Sequence, residues 1–172
     1  DESIMKRIDK GLAMRDDLKR QAATEGIPLP EVDELSWTGN RAAYDAKAAT
    51  VGVLREKNED LRSLKELIVY GLKGMAAYLE HAMRLGYNDE SIHRFMQNAI
   101  AKITTEYLSA DELTALVLKT GEVGVQTMAL LDKANTSNYG NPEITHVNIG
   151  AGTRPGILIS GHDLHDLEEL LE

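Results

Sequence analysis

Asn58-Glu-Asp-Leu-Arg-Ser-Leu-Lys-Glu-Leu-Ile-Val-Tyr-Gly-Leu-Lys-Gly-Met-Ala-Ala-Tyr-Leu-Glu-His-Ala-Met-Arg-Leu85 places Leu64, Leu67, Ile68, Leu72, Met75, Leu79 and Ala82 at helical spacing. Asn58 or Asp60 starts this helix, and Gly86 falls at the left-handed position that ends one. Gly71 and Gly74 lie inside it, each costing about 1 kcal/mol of helix propensity relative to Ala. A helix carrying both is built for close approach of a second helix.

Downstream, two more helices are written clearly. Asn88 caps one whose face is Ile92, Phe95, Met96, Ala99, Ile100 and Ile103, with Tyr87 stapled onto Ile92. Ser109-Ala-Asp-Glu112 is a capping box, flanked by the staple pair Leu108 and Leu113. That helix runs through Leu116, Val117, Val125, Met128 and Leu131 to about Ala134. Short links between the three predict an antiparallel bundle. Upstream, residues 1–57 form a helix-loop-helix lead-in. An amphipathic helix from Ser3 to about Ala23 stops at Gly26-Ile-Pro-Leu-Pro30. Trp37 anchors the following loop, and Asn40 caps an alanine-rich helix that fades at Val51-Gly52. Residues 1–134 are one helical domain, with no internal repeat or heptad array.

After Ala134 the character changes. Asn135-Thr-Ser-Asn-Tyr-Gly-Asn-Pro142 is polar and turn-rich, and Ile144-Thr-His-Val-Asn-Ile149 alternates as a half-buried strand does. Gly156-Ile-Leu-Ile-Ser-Gly-His-Asp-Leu-His-Asp-Leu-Glu-Glu-Leu-Leu-Glu172 reads as a buried strand, a tight turn and a helix capped by Asp163. Only six residues separate the two strands, too few for a parallel crossover, so they are not sequential parallel neighbours. The expected fold class is therefore mainly α: an antiparallel helical bundle followed, over 135–172, by the truncated start of a Rossmann-like α/β domain.

Composition bounds the function. The chain has 172 residues, 42% hydrophobic and 27% charged, which is globular in kind. A net charge of −9, with Lys and Arg dispersed among Asp and Glu, argues against a nucleic-acid partner. No apolar run reaches the roughly 20 residues of a membrane span. With no cysteine, neither a disulfide nor a thiolate metal site can form within the chain.

Among the histidines, His81 and His93 read as surface or bundle-edge residues, and His146 by itself says nothing. His162 differs by its place. A turn at the carboxyl end of a strand is where open α/β sheets bind ligands, and imidazole there serves as acid, base or metal ligand. His162 and His165, three apart, also have the spacing of a two-histidine metal site, without a third ligand nearby. Asp163 and Asp166 are either acceptors orienting an imidazole or helix caps, capping being favoured for Asp163. An anion site at Ser160-Gly161 competes, although glycine-rich phosphate-binding patterns are absent. Glu168 and Glu169 read as solvated charge.

These stretches resemble the hybrid cluster protein, or hydroxylamine reductase, family, fold relatives of carbon monoxide dehydrogenase. The residues that carry it are Thr127 through Gly150, then Pro155-Gly-Ile-Leu-Ile-Ser-Gly-His-Asp-Leu-His-Asp-Leu167, together with Asn58–Leu67 and Tyr70–Ala82. The Ile-Ser-Gly-His-Asp-Leu string is the most specific. The resemblance implies a parent enzyme that reduces hydroxylamine, or in some members nitric oxide, at a hybrid iron–sulfur–oxygen cluster, with His162 as one cluster ligand. It implies a second iron–sulfur cluster bound outside this chain, and other hybrid-cluster ligands beyond Glu172. Without cysteine the chain cannot assemble a cluster alone. The expectation is an internal fragment of a cytoplasmic parent, whose partners are the remainder of that chain, a small nitrogenous substrate and an electron donor. The alternative is a non-catalytic helical interaction module.

Overall fold

The computed structural model describes residues 1–105, 107–161 and 163–172, with the backbone alone at Leu54. Among these, the regular elements are helices: α1 (Glu2–Thr24), α2 (Asp33–Ser36), α3 (Tyr44–Ala48), α4 (Glu59–Arg84), α5 (Glu90–Thr105), α6 (Ala110–Tyr139) and α7 (Leu164–Leu171), with short 3-10 turns at Arg41–Ala43 and Val53–Arg55.

The expected caps are largely in place. The Asn58 side chain accepts from the N–H groups of Asp60 and Leu61. At the other end of α4, Tyr87 N–H reaches Ala82 O and Gly86 N–H reaches Met83 O, both at 2.9 Å, with Gly86 at φ 83. These paired bonds satisfy the last free carbonyls of the helix. The capping box of α6 closes both ways: Ser109 Oγ accepts from Glu112 N–H at 3.3 Å, and Glu112 Oε2 accepts from Ser109 N–H at 2.8 Å. One cap differs from expectation. Asp89, not Asn88, accepts from Ser91 N–H at 2.8 Å, and Asn88 instead meets His93 Nε2 at 2.6 Å.

Ile68, Leu72, Met75 and Leu79 of α4 join Ile92, Ala99 and Ile103 of α5 and Leu113 and Val123 of α6 in one buried core. Within this core α5 runs opposite to α4 and α6, the alternation expected of short links. Arg55, just before α4, donates to Thr104 O at the end of α5. The dominant interface, however, is between α4 and α6, which run parallel. Gly71 faces Thr120 and Met75 faces Gly124, so both helices advance together along the contact.

The inward face of α6 was only half legible. Leu113, Leu116, Thr120, Val123, Thr127, Leu130 and Ala134 face the bundle at alternating steps of three and four, a coiled-coil-like seam. Val125 and Met128, apolar residues of the same helix, are 61% and 49% exposed. The seam is built from small and hydroxyl residues that a hydrophobicity reading passes over. Thr120 and Thr127 each spend their hydroxyl on the carbonyl four residues back, at 2.8 and 2.9 Å, and turn a methyl inward. Gly71 is where this matters most, because a Cβ there would lie 2.7 Å from Thr120 Cγ2. At Gly74 nothing stands within 4 Å, so only one of the two glycines is required by close approach.

The α/β expectation is corrected. Among the described residues there is no strand, and 144–149 and 157–159 are irregular. Ile144, Ile149, Ile157 and Leu158 are more than nine-tenths exposed. A strand exists by virtue of its ladder, and neither stretch finds a partner here. Among the described residues, the one regular element after α6 is α7. Helix α6 also runs to Tyr139, past the expected stop at Ala134, since nothing in Asn135-Thr-Ser-Asn breaks a helix before Gly140.

The lead-in folds around Trp37, as expected. Its ring lies 6.0 Å from that of Tyr44, Lys47 Nζ sits 5.5 Å above it, and its carbonyl accepts from Arg15 Nη1 at 2.6 Å. Arg41 ties this unit to α1 through Glu2 and Asp9, and holds the Asp9 carboxyl below its usual range with help from Tyr44.

Substituting Gly71→Ala should destabilise by about 1–3 kcal/mol despite its better helix propensity, as over-packing does. Adding Thr120→Ser, which removes the obstructing methyl, should recover at least about 0.5 kcal/mol in a double-mutant cycle read by urea unfolding. Purely additive effects would refute the close approach. A second test uses pH. The Ser109 backbone N–H, then its side chain, lower the Glu112 pKa. The capping box therefore contributes fully above the ordinary glutamate value of about 4.3, and is lost as pH falls through the depressed value. Glu112→Gln should show a shallower decline in unfolding midpoint across that acid window.

Candidate functional site

Helix α7 settles on the adjacent carboxyl ends of α4 and α6. Its first turn is fixed by Asp163, whose Oδ1 accepts from His165 N–H at 3.0 Å, the cap expected from sequence. Arg84, in the last turn of α4, holds Glu80 through Nε at 2.6 Å and Asp166 through Nη1 at 3.2 Å. Tyr139, the last residue of α6, donates its hydroxyl to Glu168 Oε2 at 2.9 Å. Its own pKa is raised, by burial first and by Glu168 second. Glu168 is thus a docking residue, not only solvated charge.

Beside this joint lies a cleft of about 610 Å³, lined by His81 on α4 and by Ile159, Ser160, Gly161, Asp163, Leu164, Asp166, Leu167 and Leu170. The His81 Nδ1 atom is 3.2 Å from Asp163 Oδ2. The alignment falls short of a hydrogen bond, and Oδ2 is buried without a donor among the described residues. The separation marks a real contact; the angle marks it as a loose one.

His162, the foremost sequence candidate, lies outside the described residues, but Gly161 and Asp163 on either side of it line the cleft. His165 is half-buried. Its Nδ1 is 3.6 Å from Glu168 Oε2 and its Nε2 3.5 Å from Glu169 Oε1. His93 is engaged with Asn88, and His146 is exposed. His81 escaped the sequence reading because it stands off the stripe of Ile68, Leu72, Met75 and Leu79. Its partner lies on the other side of the bundle in the chain, and no local spacing announces that pairing.

The chemistry of this donor set is limited. Among the described residues no three His, Asp or Glu side chains come together as a metal site. The sequence has no cysteine, and iron–sulfur clusters are held mainly by thiolates. One imidazole beside one carboxylate does not fit a cluster held by this chain alone. The anion alternative also weakens, because the Asp163 carboxylate already occupies the N-terminus of α7 and Asp166 adds charge in its first turn. No helix among the described residues is long and apolar enough to cross a membrane.

Comparison with known proteins adds what the donor set does not supply. The family model described as "Prismane/CO dehydrogenase family" matches residues 1–172. A hydroxylamine reductase of Porphyromonas gingivalis is 61% identical over 170 residues, covering 99% of this chain and 31% of its own length. Those of Bacteroides fragilis and Desulfitobacterium hafniense are 56% and 57% identical, covering 99% and 96% of this chain and 31% of theirs. The chain thus spans about a third of the length of these curated relatives.

After anaerobic incubation with iron and sulfide, followed by desalting, this chain alone should carry no iron–sulfur absorption and no stoichiometric iron. A cluster retained on the isolated chain would overturn this account of its donors.

Proposed function

This chain belongs to the Prismane/CO dehydrogenase family, and from that premise we propose that it is part of an iron–sulfur oxidoreductase that reduces hydroxylamine, with nitric oxide as an alternative substrate. The overall change, NH2OH + 2 H⁺ + 2 e⁻ → NH3 + H2O, requires a separate electron donor, and the whole protein is read as a cytoplasmic enzyme. The observation that carries this reading is 61% identity, over 99% of this chain, to a protein named hydroxylamine reductase.

The share of the work assigned to this chain is narrow. His162 is its one proposed ligand to the hybrid iron–sulfur–oxygen cluster, the remaining ligands and a second iron–sulfur cluster being supplied from outside it. Support comes from the Ile159-Ser-Gly-His-Asp-Leu164 string and from the place of Gly161 and Asp163 on the cleft. An imidazole nitrogen is a competent iron ligand. In the whole protein, 144–149 and 157–159 become strands of the Rossmann-like portion, paired with chain from elsewhere in that protein. Their exposed Ile144, Ile149, Ile157 and Leu158 favour that reading, since apolar side chains gain about 25 cal/mol for each Å² removed from water. The same surface serves the second reading, a non-catalytic interaction module.

His162→Ala in the full-length protein should lower both cluster occupancy and hydroxylamine turnover by at least about 10-fold, on the scale of removing a metal-site group. Iron content and turnover both equal to wild type would remove His162 from the site.

A further inference from the structure

We propose that the side of the α4–α6 pair opposite α5 is a docking face for an apolar helix of the longer protein to which this chain belongs. The inference rests on that greater length and not on the reaction proposed above.

Helix α5 covers one side of the pair, where Val69, Leu116 and Leu130 pack against the core. Because α4 and α6 run parallel, with Gly71 against Thr120 and Met75 against Gly124, the helical turn fixes what faces the other side. Leu67, Gly74 and Tyr78 recur there on α4, and Gly121, Val125 and Met128 on α6. None of the six carries charge, and the four large ones are 40 to 61% exposed. The two glycines are not required by anything within the fold, since a Cβ on either would meet nothing within 4 Å. Glycine in mid-helix costs stability relative to alanine, and what it offers in return is close approach of another backbone.

The occupant follows from two observations. First, α7 already lies across the carboxyl end of this same face. His81, one turn beyond Tyr78, meets Asp163 at 3.2 Å, and Tyr139, three turns beyond Met128, donates to Glu168 at 2.9 Å. The face therefore takes a helix from its own polypeptide. With eight residues, α7 is only about 12 Å long, and it leaves open the roughly 17 Å between Leu67 and Tyr78. Second, the chain spans about a third of the length of its curated relatives, and the remaining two-thirds is the source of a second helix beside α7. A charged surface would find no counter-ion among the six residues, so the docked side of that helix is apolar.

The test compares the longer protein with this chain alone by hydroxyl-radical footprinting, reading the oxidation rates of Tyr78 and Met128 by mass spectrometry. Both should be oxidised several-fold more slowly in the longer protein, whatever its concentration. Gly121→Leu, which fills the face, should return those rates toward the values of the isolated chain. Equal rates in the two wild-type proteins would overturn the proposal, and that comparison needs no variant to fold. Rates in the isolated chain that fall as its concentration rises would overturn it as well, by making a second copy the occupant. So would unchanged protection in the longer protein carrying Gly121→Leu. Neither readout involves iron or hydroxylamine, so the proposed reaction can fail without this face failing, and the reverse.

Discussion

The close parallel contact of α4 with α6, centred on Gly71 against Thr120, is the constraint on which the rest of the molecule depends. Helices joined through one intervening helix of opposite direction necessarily run the same way, and these two are near enough for a glycine to be required. Their carboxyl ends then lie side by side. Each carries the partial negative charge of unpaired carbonyls, and two such ends together favour nearby cations. Arg84 supplies such a cation in the last turn of α4, with His81 one turn behind it. Through them the platform meets Asp163 and Asp166 at the acidic first turn of α7. The site grows out of the packing: helix direction fixes where the dipole ends meet, and their charge selects what docks there.

What was legible in the sequence is what local chemistry decides. Asn58, Gly86 and the Ser109–Glu112 box act within a few residues of themselves, so their bonds could be read in advance. Asn88 was mistaken for Asp89 because both are capping types standing next to each other, and only the geometry chooses. The inward face of α6 is hidden for a different reason. Its seam includes Thr120 and Thr127, which become inward-facing once their hydroxyls bond to their own helix, and the hydrophobicity of Val125 and Met128 pointed the other way. The stretches 144–149 and 157–159 show what local pattern leaves open. Alternation at Ile144–Ile149 describes the surface a strand would present, but the ladder itself must come from another segment.

The candidate site divides along the same line. His162 stood out through its place in a turn and through family resemblance, both properties of contiguous sequence. His81 did not, since its meaning comes from Asp163, which lies beyond α5 and α6 in the chain and meets it only in the fold. The family match therefore carries more of the proposed function than the local donors do. The described residues provide a frame and a cleft wall, and the thiolates that a cluster needs are not in this chain at all.

The residue type at 163 explains how frame and wall are joined. An isolated helix as short as α7, with eight residues, is marginal in water, because nucleation is costly and few bonds follow it. It needs both a cap and a tertiary hold. Serine or asparagine would supply the cap equally well. A carboxylate alone offers a second anionic oxygen after the first has accepted the helix N–H, and it is that second oxygen which meets His81. Aspartate at this position therefore links the start of α7 to the end of α4 through one side chain.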